Sequence, residues 1–489
     1  MAEPIMLQGT MSNVGKSFLA AALCRILRRE GYSVAPFKSQ NMALNSFITA
    51  DGFEIGRAQA LQAQAAGLEP SVLMNPILLK PTTDVGSQVI VNGKPRGNMR
   101  AAEYFRHKRE LIPEIMRAYN ELSARHDVIV IEGAGSPAEL NLKADDIVNM
   151  GLAELVNAPV LLIGDIDRGG VFAQLIGTVG LLEPHERERI KGLIVNRFRG
   201  DISLFRDGIS ILEEKSRKPV VGVVPYIKCD LEDEDSLSDK LTDTAPDGFI
   251  DIAVIRLPRI SNFTDLDVFG QFEGVSVRFV SSAVRLGTPD LIIIPGTKST
   301  LSDMRHLRES GMESAIKNAA ENGVPIFGIC GGYQMMGRRI SDPCGSEGGG
   351  SIEGMGLLDC ETVFGSDKQQ RQVSGRFLEA DGFFGCLSGA EFYGYEVHMG
   401  STVGPERQLT DVGGSVRGNI AGCYVHGIFD SGEVCSRLVK RLYAERNAEF
   451  TGAVTDRREY RERQLDLLAD KVSESLDMEL VHRIIGEGM

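Results

Sequence analysis

At 489 residues the chain is longer than a single hydrophobic core usually supports, so two or more domains are expected. Its 43% hydrophobic and 25% charged composition is that of an ordinary globular protein, which argues against wholesale disorder and against a membrane protein. The formal net charge of -14 disfavours a nucleic-acid partner, because affinity for a phosphate backbone depends on clustered Lys and Arg.

The cysteines and the N-terminal sequence exclude further classes of protein. The eight cysteines are scattered, with no CxxC pair and no zinc-type Cys/His spacing, so neither a metal knuckle nor a disulfide scaffold is predicted. The N-terminal sequence passes through a charged Glu3 and Pro4 into a short apolar run, unlike a signal peptide. No apolar stretch approaches the roughly 20 residues that span a bilayer. We therefore expect a cytoplasmic protein without a membrane partner.

Short apolar runs alternate with amphipathic stretches from PIMLQG at residue 4 to KPVVGVVP near residue 225. This alternation is typical of βα units and predicts a doubly wound parallel sheet. The acidic segment CDLEDEDSLSDKLTDTAPDG interrupts it, and a second alternating series runs from DIAVIRL to PIFGIC. The prediction is an α/β protein with a first domain at 1–230, a linker at 231–248, a second domain at 249–445 and a helical tail at 446–489.

A phosphate-binding loop is predicted at residues 9–17, GTMSNVGKS, between the first apolar run and the helix-like FLAAALCRIL. A strand, a Gly-bounded loop and a helix N-terminus direct backbone N–H groups at phosphate oxygens, while Lys adds a charge and Ser a hydroxyl for Mg²⁺. The spacing resembles the P-loop variant of dethiobiotin synthetase and its relatives. A glycine turn with an incidental GKS is the alternative. The predicted ATP-binding residues are Gly9, Thr10, Asn13, Gly15, Lys16 and Ser17.

Polar residues near later strand ends are candidates for the rest of the nucleotide site. Glu132 closes the apolar run DVIVIEGAGS, where ligand sites of parallel sheets lie, and it is the best acidic candidate for Mg²⁺. Asp51 and Glu54 precede a helix-like run, where acids equally serve as caps. Asn196 follows KGLIV and could read the adenine edge or make turn hydrogen bonds.

A nucleophile is predicted in PIFGICGGYQMMG at residues 325–337, which combines an apolar strand, a cysteine among small residues and a helix start. A sharp strand-to-helix turn exposes its central side chain and aims backbone N–H groups at a developing oxyanion. We predict Cys330 as the nucleophile, with an oxyanion hole from the backbone at Gly331 and at Gly296 in IIIPGTKST. A buried structural cysteine and a plain turn are the alternatives.

A thiolate that attacks an amide needs a base, and two histidines are candidates. His426 ends the apolar strand of CYVHGIFD, and the pattern favours it. His398, in the aromatic strand YGYEVHMG, is equally compatible with a structural or substrate-facing role.

Taken together, the P-loop and the Cys-His pair resemble the CobB/CobQ type of class I glutamine amidotransferase over nearly the whole chain. The resemblance implies a dethiobiotin-synthetase-like N-terminal domain and a class I glutamine amidotransferase-like C-terminal domain, with ATP, Mg²⁺ and L-glutamine as cofactors and substrates. Triad glutaminases have a Glu two residues after the His, where this chain has Ile428. This departure is similar to the CobB/CobQ type, and the group that orients His426 is not predicted.

Within this group, five phrases resemble the cobyric acid synthase family, and they lie at 38–46, 51–67, 79–93, 132–142 and 164–173. The resemblance implies ATP-dependent amidation of carboxylates b, d, e and g of adenosylcobyrinic acid a,c-diamide through acyl phosphates.

The same resemblance implies roles for individual residues. Asp51, Glu54 and Glu132 would join Ser17 in binding Mg²⁺ or lining the substrate site. Asn196 would contact adenine. The substrate or phosphate contacts would be Lys38, Asn41 and Asn45.

Three rival families share part of this pattern. A cobyrinic acid a,c-diamide synthase has both modules, but KSQNMALNS and EGAGSPAELNL favour the cobyric acid synthase pattern. A relative that acts on a cell-wall precursor has extra zinc-type cysteines, which this sequence lacks. A non-enzymatic P-loop switch would leave Cys330 and His426 without a role, and the early second lysine of such switches is missing here.

Overall fold

The computed structural model describes residues 1–83, 86–231, 247–452 and 456–488. The predicted linker at 231–248 lies almost entirely outside these residues, as do positions 84 and 85 of the phrase at 79–93.

Each of the two compact units of the chain is built from segments that are far apart in the sequence. The first unit contains Met1–Ala43, Phe53–Leu231 and Arg461–Met489, and the second contains Leu44–Gly52 and Glu232–Tyr460. Both are α/β structures, which confirms the predicted fold class. The short segment Leu44–Gly52 and the C-terminal segment are thus grouped apart from their neighbours in sequence.

In chain order, the strands up to Leu231 are β1 (Glu3–Gly9), β2 (Val34–Phe37), β3 (Gln40–Met42), β4 (Ser46–Ile48), β5 (Glu54–Gly56), β6 (Ile77–Thr83), β7 (Gly86–Val91), β8 (Lys94–Arg100), β9 (Val128–Glu132), β10 (Val160–Asp165), β11 (Ile190–Phe198) and β12 (Val220–Pro225). The α-helices of the same part are α1 (Lys16–Arg29), α2 (Arg57–Ala66), α3 (Ala101–His107), α4 (Ile112–Ser123), α5 (Met150–Leu155), α6 (Val171–Leu181), α7 (Pro184–Arg189) and α8 (Arg206–Ser216).

After Leu231 the strands are β13 (Ile250–Ile255), β14 (Val275–Val280), β15 (Leu291–Ile294), β16 (Ile326–Ile329), β17 (Arg339–Asp342), β18 (Gly350–Glu353), β19 (Glu361–Arg376), β20 (Glu391–Val403), β21 (Arg407–Thr410), β22 (Gly413–Arg417), β23 (Ile420–Cys423) and β24 (Val425–His426). The α-helices are α9 (Ala283–Leu286), α10 (Thr300–Glu309), α11 (Met312–Glu321), α12 (Gly331–Met336), α13 (Gly432–Glu445), α14 (Arg457–Ser473) and α15 (Met478–Glu487). A 3-10 helix at Phe263–Gln271 lies between β13 and β14.

The main sheet of the first unit is parallel, with the strand order β12-β11-β10-β1-β9-β2. Strands β9 and β10 are buried along their whole length, as expected when helices cover both faces of a parallel sheet. Leu7 of β1 is the register partner of Glu132, and Asp165 of β10 is the partner of Asn196. The phosphate loop, Glu132 and Asn196 therefore lie at the carboxyl end of the sheet, where its strands end.

The C-terminal residues from Arg461 onward complete the core of the first unit. Leu465, Val472 and Val481 are buried in one cluster with residues of β1 and α1. Arg25 of α1 also pairs with Glu462 and Asp466 of α14, each at 2.7 Å. The tail is therefore an integral part of this unit.

The second unit is organised around a sheet with the strand order β14-β13-β15-β16-β23-β22-β21. The five strands from β14 to β23 pair in parallel, and the last two pairings are antiparallel. Ile329 at the end of β16 pairs with Cys423 of β23, and Tyr395 of β20 pairs with His426. These pairings bring the residue after β16, Cys330, and His426 to the same end of the unit.

Among the helices in the described part of the chain, none combines the length and apolar character needed to cross a bilayer.

Candidate functional site

The phosphate loop of the first unit has backbone conformations that its residue types favour. Asn13 has a φ of 60° and Gly15 a φ of 94°, both in the left-handed region that Asn and Gly tolerate best. A Cβ on Gly15 would lie 2.3 Å from Nδ2 of Asn196, so only glycine fits there. Helix α1 begins at the next residue, Lys16, which is 7% exposed and donates hydrogen bonds to the carbonyl oxygens of Met11 (3.1 Å) and Gly135 (3.3 Å).

Glu132 lies at the centre of a buried polar network beside this loop. Ser17 Oγ donates to its carboxylate at 2.8 Å, Lys38 Nζ at 2.8 Å and Gln62 Nε2 at 2.6 Å. Burial raises the pKa of Glu132, but Lys38, Gln62 and Lys16 together outweigh burial and lower its pKa below the usual range. The carboxylate is therefore held in its charged form next to the Ser17 hydroxyl.

Other residues of the predicted nucleotide site lie against the same loop. Asn196 Nδ2 donates to the carbonyl oxygen of Val14 at 2.7 Å, so its side chain is held against the loop. Thr10 Oγ1 donates to Gln174 Oε1 at 3.1 Å. Asn41 Nδ2 donates to Gln59 Oε1 at 2.9 Å, and Gln59 Nε2 in turn lies 3.5 Å from the Glu132 carboxylate.

The remaining predicted metal and substrate residues are Glu54, Asn45 and Asp51. Glu54 belongs to the first unit, where its carboxylate forms a buried ion pair with Lys80 at 2.7 Å. Asn45 and Asp51 belong to the second unit, and Asp51 accepts a hydrogen bond from the Thr49 hydroxyl. The structure thus brings Ser17, Lys38, Asn41 and Glu132 together, and the metal or substrate roles of the other three stay predictions.

Cys330 of the second unit occupies a strained turn between β16 and α12. Its φ of 52° and ψ of -109° are unusual for a residue with a side chain, and such strain occurs at functional sites. The turn is close-packed, since a Cβ on Gly332 would lie 1.9 Å from the Ile294 carbonyl oxygen. The Cys330 thiol lies 3.7 Å from the Val397 carbonyl oxygen. The local sequence therefore builds the predicted nucleophile elbow.

His426 is buried and is oriented by a carboxylate. Its Nδ1 lies 2.7 Å from Oδ2 of Asp265, whose other oxygen accepts from the Gly427 N–H at 3.1 Å. Burial lowers the pKa of His426, but Asp265 and the hydrogen-bonded Cys330 raise it more, to about 10. This balance favours the imidazolium form of His426 at neutral pH.

Asp265 is a candidate functional residue that the sequence pattern did not indicate. It lies in the 3-10 helix Phe263–Gln271, far from His426 in the sequence. The position two residues after His426, where triad glutaminases have their Glu, is occupied by the fully buried apolar Ile428. No local spacing links Asp265 to His426, and the only sequence signal is an acid within the apolar phrase ISNFTDLDVF.

The loop Gly296–Thr297 lies directly against the elbow. A Cβ on Gly331 would lie 3.1 Å from the Thr297 backbone nitrogen, and one on Gly296 would lie 2.9 Å from Cε1 of His426. This loop therefore lies next to both Gly331 and His426, and the oxyanion role of the Gly296 and Gly331 backbone stays a prediction.

His398, the second candidate base, has a different environment. Its Nδ1 lies 2.7 Å from the Gly400 carbonyl oxygen, and its ring stacks on Tyr424 with centroids 3.7 Å apart. Burial lowers the pKa of His398, so the ring is neutral at physiological pH. It lacks the Asp265 contact that makes His426 the stronger candidate for proton transfer.

A polar network beside the elbow adds groups that sequence reasoning did not identify. Thr300 Oγ1 donates to Gln334 Oε1 at 3.1 Å, and Gln334 Nε2 donates to the Tyr424 hydroxyl at 3.3 Å. Glu347 accepts from the Thr300 N–H at 2.6 Å, and burial raises its pKa to about 7. A Cβ on Gly331 would lie 3.4 Å from Thr300 Oγ1, so this network borders the elbow.

Comparison with known proteins identifies both modules of the chain. Residues 5–237 match the CobQ/CobB/MinD/ParA nucleotide binding domain, and residues 251–434 match the CobB/CobQ-like glutamine amidotransferase domain. A curated cobyric acid synthase of Ruminiclostridium cellulolyticum is 53% identical over 504 residues, covering 100% of this chain and 98% of that protein. One of Lachnoclostridium phytofermentans is 54% identical over 515 residues, covering 100% of both. The chain belongs to the cobyric acid synthase family.

Family membership confirms the two-module interpretation. As a member of the cobyric acid synthase family the chain is an ATP-dependent glutamine amidotransferase, with a nucleotide-binding module followed by a glutaminase module. The resemblance stated from the five sequence phrases is confirmed, since the similarity to curated family members extends over the whole chain.

Proposed function

We propose that this protein amidates carboxylates b, d, e and g of adenosylcobyrinic acid a,c-diamide in the cytoplasm, with glutamine as the nitrogen source and ATP as the energy source. The observation that carries the proposal is the presence of both chemical centres in one chain whose full-length relatives are cobyric acid synthases. Cys330, His426 and Asp265 form the ammonia-releasing centre, and the loop around Lys16 with Glu132 forms the nucleotide centre.

Ammonia release begins with the Cys330 thiolate, which attacks the side-chain amide carbon of glutamine. The negative charge that develops on the oxygen is stabilised by backbone N–H groups at Gly331 and the Gly296 turn. His426, held as an imidazolium by Asp265, donates its proton to the departing nitrogen, so ammonia leaves and a thioester remains. A water molecule, deprotonated by His426, then hydrolyses the thioester to glutamate and restores the thiolate.

Carboxylate activation takes place at the nucleotide centre. A carboxylate is a poor electrophile, because its charge repels nucleophiles and oxide is not a leaving group. Transfer of the γ-phosphoryl group of ATP to the carboxylate oxygen gives an acyl phosphate and ADP, with Lys16 and the loop amides stabilising charge on the phosphoryl oxygens. Ammonia attacks the acyl carbon and phosphate departs, leaving the amide. Lys38, Asn41 and Asn45 are proposed substrate or phosphate contacts.

Mg²⁺ fits the residues at the centre of the nucleotide site. The Ser17 hydroxyl and the charged Glu132 carboxylate, 2.8 Å apart, offer the oxygen ligands that this ion prefers. We propose that these two residues hold Mg²⁺ together with ATP. When bound, the ion neutralises charge on the phosphate oxygens. Asn196, which lies against the loop, is proposed to contact the adenine ring.

The test is mass spectrometry of adenosylcobyrinic acid a,c-diamide after incubation with the protein, ATP, Mg²⁺ and glutamine. Four successive carboxyl-to-amide conversions are expected. Conversion of cobyrinic acid itself to its a,c-diamide, with no change of the first substrate, would instead assign the protein to the other corrin-amidating enzyme. Inertness of both substrates would refute the proposal.

Two variants test the division of labour between the centres. Cys330→Ala is expected to abolish glutamine-dependent amidation but to keep amidation with high ammonium salt, because the nucleotide centre is unchanged. Lys16→Ala is expected to lose amidation from both nitrogen sources. Ammonia-dependent activity in Lys16→Ala would show that the phosphate site is assigned wrongly.

A further inference from the structure

The segment Leu44–Gly52 connects residues of the nucleotide centre to the glutaminase centre through the chain itself. It begins three residues after Asn41 and six after Lys38, which both belong to the Glu132 network. The segment itself is part of the second unit, and the chain returns to the first unit at Phe53. We call Leu44–Gly52 the positioning segment.

Both backbone polar groups of Ser46, the third residue of this segment, hold elements that flank His426. The Ser46 N–H donates to Oδ1 of Asn262 at 3.1 Å, and the Ser46 carbonyl oxygen accepts from the Tyr395 hydroxyl at 3.0 Å. Ser46 is 1% exposed, so water does not compete for these bonds.

One of these two partners contacts His426 directly, and the other adjoins the helix that carries Asp265. Tyr395 stacks on the His426 ring with centroids 5.4 Å apart and an angle of 21° between the planes. Asn262 has a φ of 52° and immediately precedes the 3-10 helix that carries Asp265. One peptide group of the positioning segment therefore helps to fix both the ring that supports His426 and the turn that presents its carboxylate.

Further contacts attach the positioning segment to strands β19 and β20. Ile48 is buried in a cluster with Tyr395 and Val397, and Phe47 packs on Tyr395 with ring centroids 5.8 Å apart. The side-chain amide of Gln372 donates to the Ile48 carbonyl oxygen. Val397 is the residue whose carbonyl oxygen faces the Cys330 thiol. A shift of the segment would therefore be felt by both catalytic residues.

We propose that Leu44–Gly52 is a positioning segment of the glutaminase, with Tyr395 as a positioning residue, and that it makes glutamine hydrolysis depend on the state of the Lys38–Asn41 region. This inference rests on the function proposed above. In the described state Lys38 pairs with Glu132, and an anionic ligand such as a phosphate or a substrate carboxylate competes for that lysine. A ligand that draws Lys38 away from Glu132 would favour a different arrangement of the region, and such a preference is the requirement for a population shift. The benefit is that ammonia is released only when an acyl acceptor is bound.

The experiment compares Tyr395→Phe with Tyr393→Phe, a control on the same strand. Tyr395→Phe keeps the ring but removes the hydroxyl that bonds to Ser46, whereas Tyr393 donates its hydroxyl to the Asp430 carbonyl oxygen at 3.2 Å. Glutamate release is measured with and without ATP plus adenosylcobyrinic acid a,c-diamide, across a range of pH. Ammonia-dependent amidation is measured in parallel.

For Tyr395→Phe we expect about a fivefold loss of glutaminase kcat, the effect of one net hydrogen bond, with little change in KM for glutamine. We also expect a weaker stimulation by ATP plus corrinoid, an altered pH profile, and unchanged ammonia-dependent amidation. Tyr393→Phe should behave as the unmodified protein. Asn262→Gly, which keeps the positive φ but removes the acceptor of the Ser46 N–H, should reproduce the loss.

The inference is overturned if Tyr395→Phe and Asn262→Gly match the control, or if stimulation of glutamate release by ATP plus corrinoid is undiminished. It is also overturned if ammonia-dependent amidation falls as much as glutamate release, because that would indicate general damage. Failure of the proposed function has a different signature, because the unmodified protein would then show no ammonia-dependent amidation of the corrinoid.

Discussion

Replacement of Asp265 by Asn tests the electrostatic design of the ammonia-releasing centre. The substitution keeps the size of the side chain but removes the negative charge that lies 2.7 Å from His426 Nδ1. The pKa of His426 rises from 6.5 to about 10, which corresponds to about 5 kcal/mol in favour of the imidazolium. Because Cys330 contributes part of this effect, we expect Asp265→Asn to remove about 3–5 kcal/mol of the stabilisation of the imidazolium. Glutamine hydrolysis should then be slower by roughly 10²–10⁴-fold.

The same substitution also predicts the direction in which the pH profile of glutamine hydrolysis shifts. In the unmodified protein the raised pKa keeps His426 protonated up to about pH 10, so a proton is available for the departing ammonia across the neutral range. Without the carboxylate, burial is opposed only by Cys330, and the pKa of His426 falls. The alkaline limb of the glutaminase profile should therefore move to lower pH in Asp265→Asn.

The assay is glutamate release from pH 6 to pH 10, with ammonia-dependent amidation as an internal measure of the intact nucleotide centre. Asp267→Asn, a substitution of the same chemical kind two residues away, is the matched control and should stay within about twofold of the unmodified protein. Full glutaminase activity with an unshifted alkaline limb in Asp265→Asn would refute the reasoning, and so would an equal loss of ammonia-dependent amidation.

Three further substitutions separate the two centres. Glu132→Gln removes the charge beside Ser17 and should reduce amidation from glutamine and from ammonia by about 10²-fold, while glutamate release persists. Selective loss of glutamate release would contradict the assignment of Glu132 to the nucleotide centre. Gly296→Ala places a methyl group 2.9 Å from His426 Cε1, and displacement of that ring should slow glutamate release by about 10²-fold with ammonia-dependent amidation retained. Gly15→Ala forces a side chain into a φ of 94° and against Asn196, at a cost of about 1–3 kcal/mol. The KM for ATP, measured by steady-state kinetics, should therefore rise about 5- to 150-fold.

Local motifs explain which parts of the site were predictable from the sequence. The phosphate loop and the Cys330 elbow are each encoded within about a dozen consecutive residues, because a strand, a tight turn and a helix start must follow one another directly. His426 could be predicted because it ends an apolar strand beside a glycine. In these cases the chemistry and the backbone geometry that it requires are specified by neighbouring residues.

Contacts between distant segments could not be predicted in this way. Asp265 reaches His426 only after the sheet of the second unit has formed, and its residue type alone does not distinguish it from other acids. The grouping of Leu44–Gly52 with the second unit was equally hidden, although the apolar Phe47 and Ile48 within the polar phrase KSQNMALNSFI are a weak indication of a buried contact. Such pairings depend on tertiary structure, for which a single sequence gives no spacing rule.

The C-terminal residues that complete the core of the first unit set a limit on the order of folding. Leu465, Val472 and Val481 bury against a helix that starts at Lys16, and Leu476 forms an isolated bridge with Gly222 of β12. A ribosome therefore releases the phosphate loop early in synthesis, but the hydrophobic surface that supports it stays uncovered until the last helices have left the exit tunnel. In contrast to proteins whose N-terminal domain folds first during translation, the glutaminase half can finish folding before the nucleotide-binding half does.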